Sequence, residues 1–227
     1  MVREAANILN LSYFYSTNLY FLRYMDNHLI LPAFYLPPVS YFSTLQTSPL
    51  PILLEQHEHY PKQTYRNRTS VYSANGKLDL IIPVRHGKDG HTKMKDVRIS
   101  YEAGWQRLHW MSLQTAYRSS AYFEFYEADF AVFYERQYEW LFDYNIAQLE
   151  LLLRLLKIDR QVGCTERYRE DYGPTVDFRQ VIHPKKNTPG SGGKPYYQVF
   201  ENKHGFISDL SIVDLLFNHG PHSKGYL

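Results

Sequence analysis

The sequence predicts an α+β fold, with an antiparallel sheet in the N-terminal half packed against a helical block and a short C-terminal helix at the end. Three observations predict it. An Asn75-Gly76 pair stands between two strand-like runs, residues 69–74 and 77–84, which is the pattern of a β-hairpin. Past Gly104 the apolar residues recur three and four apart, the spacing of a helix that buries one face. Strands come first and helices after, and that order marks α+β rather than alternating βαβ units.

Residues 1–24 lack Gly and Pro, and Asn7, Asn10, Ser12, Ser16, Thr17 and Asn18 interrupt their apolar positions. The stretch is too polar for a secretory h-region or for a bilayer span, which needs about 20 apolar residues. It reads as an extension outside the fold, non-native or disordered, with Met25 as the natural start and residues 25–227 as one domain. The run HLILPAFYLP at 28–37 is strand-like, and Pro32 and Pro37 place it at an edge or make it break early. A second apolar run, 51–54, leads into Gln56, His57, Glu58 and His59. In the hairpin, Asn75-Gly76 suits a type I′ turn, and Leu78, Leu80, Ile82 and Val84 give it one buried face. Residues 97–101 read as a further strand.

The helical block follows. Trp105, Leu108, Leu113, Ala116 and Tyr117 mark a first helix, and Ser119-Ser120 are placed to cap a second that carries Tyr122, Phe123, Tyr126, Phe130 and Phe133. Asp143 to Asn145 offer a cap for a third, with Leu149, Leu152, Leu153 and Leu156 inward. Residues 159–195 are polar, with a Gly-rich tip at 190–193, and read as a mobile loop. Ser211 and Asp214 have the spacing of a capping box, and Gly220 stands where the last helix stops.

Composition excludes several classes. The chain has 227 residues with 44% hydrophobic and 21% charged, which is not a disordered composition. A formal net charge of +2 gives no field directed at nucleic acid or an anionic membrane. The single Cys164 can form no intramolecular disulfide and fits a reducing compartment, so a cytoplasmic location is expected. Aromatic residues are abundant at 16%, and such rings serve cores and binding surfaces equally.

Charge is unevenly placed along the chain. Between residues 60 and 98 there are nine basic residues against three acids, and between 121 and 159 eight acids against three bases. The two stretches either neutralise one another or leave the basic hairpin open. In the second case Arg66 and Arg68, two apart and on one face of a strand, can bind a phosphate or carboxylate bidentately. The bland alternative is a solvated strand face. His57 and His59 share a face if strand-like. They lack a third metal ligand at fixed distance, so no metal or cofactor is assigned, and a general base beside Glu55 or Glu58 is the better chemistry for them. No G-x-S-x-G, phosphate-loop, G-x-G-x-x-G or H-E-x-x-H motif is present.

The segments Tyr35-Leu36-Pro37-Pro38, Tyr65-Arg66-Asn67-Arg68, Asn75-Gly76, Pro83-Val84, Tyr197-Gln198-Val199-Phe200 and the run from Leu210 to Asn218, in this order, resemble the WbqC-like family of bacterial proteins. That family is often encoded with O-antigen and surface-polysaccharide genes. The resemblance implies a cytoplasmic protein acting on an activated sugar, as a glycosyl or acyl transferase. Many members carry His-Gln-Pro where this chain has Pro32-Ala33-Phe34, so His57 or His59 would have to take over any role of that histidine. An anionic donor such as a nucleotide-sugar would then use Arg66 and Arg68 for its charge and Tyr35, Tyr65 or Trp105 for its sugar face. Asn67, Asn218 and Asp214 would meet its hydroxyls, and Asp214 is also a catalytic candidate beside His57 and His59, with the capping box as its competing role. Nucleic acid and membrane spans are not expected as partners, and a homodimer is compatible with the sequence. A non-catalytic glycan- or protein-binding scaffold is the rival reading.

Overall fold

The computed structural model describes residues 28–85, 91–173, 176–185 and 193–227. The expectations for residues 1–24 and for Met25 lie outside these. In chain order come β1 (Leu29–Pro32), α1 (Val39–Thr47), β2 (Ile52–Glu55), the hairpin β3 (Arg68–Ser73) and β4 (Gly76–Ile81), then β5 (Val84–Arg85) and β6 (Arg98–Ile99). The helical block is α2 (Trp105–Tyr117), α3 (Phe123–Glu135) and α4 (Leu141–Leu155), followed by β7 (Val162–Cys164), α5 (Glu201–His204) and α6 (Ile212–His219). The class is α+β, with strands first and three consecutive helices after them.

The sheets are small, and one differs in kind from the expectation. β3 and β4 pair antiparallel, as do β5 and β6, but β1, β2 and β7 form a parallel sheet in the order β1-β2-β7. Parallel pairing of β1 with β2 requires a crossover, which α1 supplies. The short apolar runs LILP and ILLE do not alternate because a parallel strand is covered on both faces. On the far side of β1, Ile30 bridges in parallel to Asp177. Much of the stretch read as a mobile loop is therefore built into the sheet, through β7 and residues 176–178, and Arg179 and Ile182 are buried.

The local signals were close but shifted. In the hairpin, Ser73 pairs with Gly76, and the positive φ falls on Gly76 (+94°) while Ala74 and Asn75 stay negative. That is a type I turn with a glycine bulge rather than type I′. Ser120 does not cap α3; its Oγ donates to the Tyr117 carbonyl and closes the end of α2. α4 starts at Leu141, so Asp143 sits inside its first turn. Ser211 does cap α6, accepting from the Val213 N–H, but Asp214 does not complete the capping box. Gly220 ends the helix at φ +52°. The buried apolar side chains form a continuous core joining the parallel sheet, the hairpin and the helical block.

Candidate functional site

β2 ends at Glu55, and the chain then turns through Gln56, His57 and Glu58 at the carboxyl ends of the parallel strands. Open parallel sheets place ligands at that edge. Glu55 is fully buried and accepts from the His57 backbone N–H (2.7 Å), the Thr165 hydroxyl (2.9 Å) and the Tyr172 hydroxyl (3.3 Å). The Arg179 guanidinium stands 3.8 Å from it and is bound more tightly to Asp177 (2.5 Å). It lies over the rings of Tyr168 and Tyr172. Glu55 and Tyr172 thus join the end of β2 to the segment after β7.

Next in the row, Glu58 pairs with Arg66, whose Nε donates to Oε1 (2.7 Å) and whose Nη2 stands 2.6 Å from the same oxygen, and both side chains are almost wholly buried, at 1% and 6% exposure. Burial raises the Glu58 carboxyl above its ordinary range, and Arg66 opposes that shift. Arg66 also donates to the Arg179 carbonyl and lies over Phe34. Beyond this pair sits Tyr60, pushed up to about 12 by burial, with the charges of Arg66 and Arg68 opposing. Arg68 is different: its Nε is buried without a hydrogen-bond acceptor, and its guanidinium makes no ion pair among the described residues. Asp177, Arg179, Glu55, Glu58, Arg66, Tyr60 and Arg68 form a chain of charged and polar groups that ends on one uncommitted cation.

The expected site residues are dispersed. Arg66 precedes β3 in a turn, and its charge is met by Glu58, a neighbour on its own segment and not one of the acidic helices. It therefore cannot serve an anion beside Arg68 unless that pair opens. Asn67 clamps the hairpin, giving its Nδ2 to the Ile82 carbonyl and its carbonyl to the Ile82 N–H. His57 and His59 do not share a strand face, because β2 has ended; His57 is half-buried, while His59 is exposed and packs edge-on against His91 at 5.1 Å. Neither imidazole has a carboxylate partner among the described residues, since Glu55 takes the His57 backbone and Glu58 takes Arg66.

Tyr35, Tyr65 and Trp105 are core residues and present no open face to a sugar. Tyr35 and Trp105 do come together, through His109: the Tyr35 hydroxyl lies 3.0 Å from both His109 Nδ1 and the Tyr134 hydroxyl, and His109 packs edge-on against Trp105. Burial lowers His109 to about 4, so the ring is neutral. Asp214 belongs to a separate cluster. Its carboxylate accepts from Tyr117, Tyr196 and Gln198, each at 2.8 Å, and burial raises it to about 6 against those hydrogen bonds. Asn218, one turn on, gives Nδ2 to the Asp214 carbonyl. Arg66 and Asp214 share no partner.

The sequence reading missed Thr165, Tyr172, Asp177 and Arg179, which lie in the stretch taken for a loop. Thr165, Tyr172 and Arg179 reach Glu55 and Asp177 holds Arg179, joining positions far apart in the chain, and composition carries no signal of it. A groove of about 570 Å³ lies elsewhere, between α3 and α4, and a smaller one of about 370 Å³ beside Arg98 and Tyr138.

A family model for the WbqC-like protein family matches residues 33–200. The chain is 23% identical over 228 residues to Uncharacterized protein Rv1507c of Mycobacterium tuberculosis (strain ATCC 25618 / H37Rv), covering 89% of this chain and 98% of that one. No solved structure matches significantly.

Proposed function

The chain belongs to the WbqC-like protein family, and we propose that it is a cytoplasmic group-transfer enzyme of surface-polysaccharide biosynthesis that takes an activated sugar whose anionic part is held by Arg68. The observation that carries this is the buried, unaccepted Nε of Arg68 in a chain where Arg66 and Arg179 are both paired. A guanidinium with an empty donor, next to the carboxyl edge of a parallel sheet, is suited to a phosphate or carboxylate oxygen. His57 supplies the base, since its ring makes no hydrogen bond among the described residues while Glu55 fixes its backbone. For a glycosyl donor, an acceptor hydroxyl forms a bond to the anomeric carbon, its proton passes to His57, and the anomeric carbon–oxygen bond breaks with the electron pair leaving on the nucleoside diphosphate.

Thermal-shift measurement with nucleotide-sugars and acyl donors tests this. A donor present at a hundred times its Kd stabilises by about 2.7 kcal/mol. Arg68→Gln should remove the shift without lowering the basal melting temperature. Absence of any shift with these donors, or an equal shift in Arg68→Gln, overturns the reading.

One observation favours a non-catalytic binding protein instead. Phe125 (74% exposed) and Val132 lie on one stripe of α3, and Val132 lines the α3–α4 groove with Ala128, Ala147 and Leu151. Acidic Asp129 and Glu150 and basic Arg154 line the same groove, so a second copy could meet it with complementary charge. If no donor binds and the chain sediments as a dimer that Phe125→Ser splits, this second reading holds.

A further inference from the structure

Two hollows run into one another along the outer side of α4. One of about 570 Å³ lies between α3 and α4 and is lined by apolar Val132, Phe133, Ala147 and Leu151. The other, of about 450 Å³, is lined by Leu153, Ile158 and Val162. Glu150 and Arg154 line both, so the two form one track. Val132 on it is 52% exposed, and nothing described covers it. Arg154 is taken by Asp129, which leaves Glu150 and Asp159 on the track without an ion pair among the described residues. The track begins at the amino end of the parallel sheet. Leu29 and Val162 both pair with Ile52, from opposite sides of β2, so the chain enters β1 two strand spacings, about 10 Å, from the start of the track.

The sequence that leads into β1 suits this track. Ile8, Leu11, Tyr15, Leu19 and Leu22 are spaced three and four apart. At about 100° per residue they fall within one arc of about 80°, and Asn7, Asn10, Ser12, Ser16, Thr17 and Asn18 fall outside it. We propose that residues 8–23 of the same chain dock along this track, with the stripe from Ile8 to Leu22 on its apolar residues and Arg23 beside Glu150 and Asp159. An amphipathic segment laid in an apolar groove is a recurring mode of recognition, read through positions three, four and seven apart. As a helix, residues 8 to 22 would span about 21 Å, against about 22 Å for the 15 residues of α4. The chain from Arg23 to Leu29 reaches about 20 Å when extended, twice the distance from β1 to β7. So short a tether gives the segment an effective concentration on the order of millimolar, which lets modest contacts hold it. This occupant is independent of the donor reading, and it competes with a second copy for the same face.

The test uses the full chain with Cys164→Ser and Asp143→Cys, the latter exposed on the first turn of α4 and carrying a nitroxide. Amide signals of the isotope-labelled chain report which residues come near the nitroxide. The expected result is that amides between residues 8 and 23 lose more than half their intensity. They should lose none when a nitroxide-bearing chain without isotope is mixed with an isotope-labelled chain without nitroxide. Tyr15→Asp with Leu19→Asp should restore the intensities, and Val132→Asp should do the same from the side of the groove. The first of these variants lies outside the described residues, so it keeps the test decisive should Val132→Asp fail to fold. Full intensity throughout residues 8–23 in the nitroxide-bearing chain, or a loss that Tyr15→Asp with Leu19→Asp leaves in place, overturns the inference. So does a loss seen only in the mixed sample, which would put a second copy on this face. None of these outcomes depends on whether an anionic donor binds at Arg68.

Discussion

Arg66 shows how burial decides what a charged side chain does. A guanidinium at 1% exposure is tolerated only with its carboxylate, and removing one partner of such a pair costs about 3–5 kcal/mol because the other charge is left unpaired. Arg66→Met should therefore destabilise by that amount in urea unfolding, and Arg66→Met with Glu58→Gln should recover most of it. A role confined to ligand binding would leave the single variant as stable as the parent. Asp214 carries the opposite charge without a cation. Its raised value, about 6 against 3.8 unfolded, means that the folded state holds the proton more tightly. Its contribution is complete below about pH 4 and is lost as pH rises through about 6. Asp214→Asn, which cannot titrate, should flatten this part of the profile, so the melting-temperature difference between parent and variant should change between pH 4 and 6 and level off above. A constant difference across that range would show that Asp214 stays ionised in the fold.

At the scale of elements, the same residues explain what could be read from the sequence. The helices of the central block were legible because each buries a stripe of three- and four-spaced apolar residues, and the hairpin because Leu78 and Leu80 alternate with exposed Lys77, Asp79 and Ile81. The parallel sheet was not, since LILP and ILLE are too short to show a period and their partners at 162–164 and 177 sit in polar sequence. The site suffered in the same way. Arg66 and Arg68 read alike in the sequence, and only the fold pairs Arg66 with Glu58, while Asn67, Tyr35 and Trp105 spend their chemistry on hairpin and core contacts. The end of α6 gives a direct check of element packing. An added Cβ at Gly220 would sit 2.4 Å from the Tyr122 ring, at a φ of +52°. Gly220→Ala should cost more than about 2 kcal/mol in denaturant unfolding. Gly225→Ala, where a Cβ meets nothing within 4 Å, should stay within about 0.5 kcal/mol. Equal effects would mean that the α6 terminus does not pack on Tyr122 as described.

Across the molecule, no helix among the described residues is long and apolar enough to cross a membrane. Among the described residues the two oppositely charged stretches form one ion pair, Arg98 with Glu139, while Arg154 pairs with Asp129 within the helical block. The parallel sheet has a wider consequence. β2 can gain its second neighbour only when Val162–Cys164 has been made, and β1 its outer one only when Asp177 has, with the hairpin and all three helices in between. On the ribosome the first strands must wait, half-paired, for most of the chain to emerge. The helical block can assemble locally, and the sheet edge that holds the charged row is among the last parts to close.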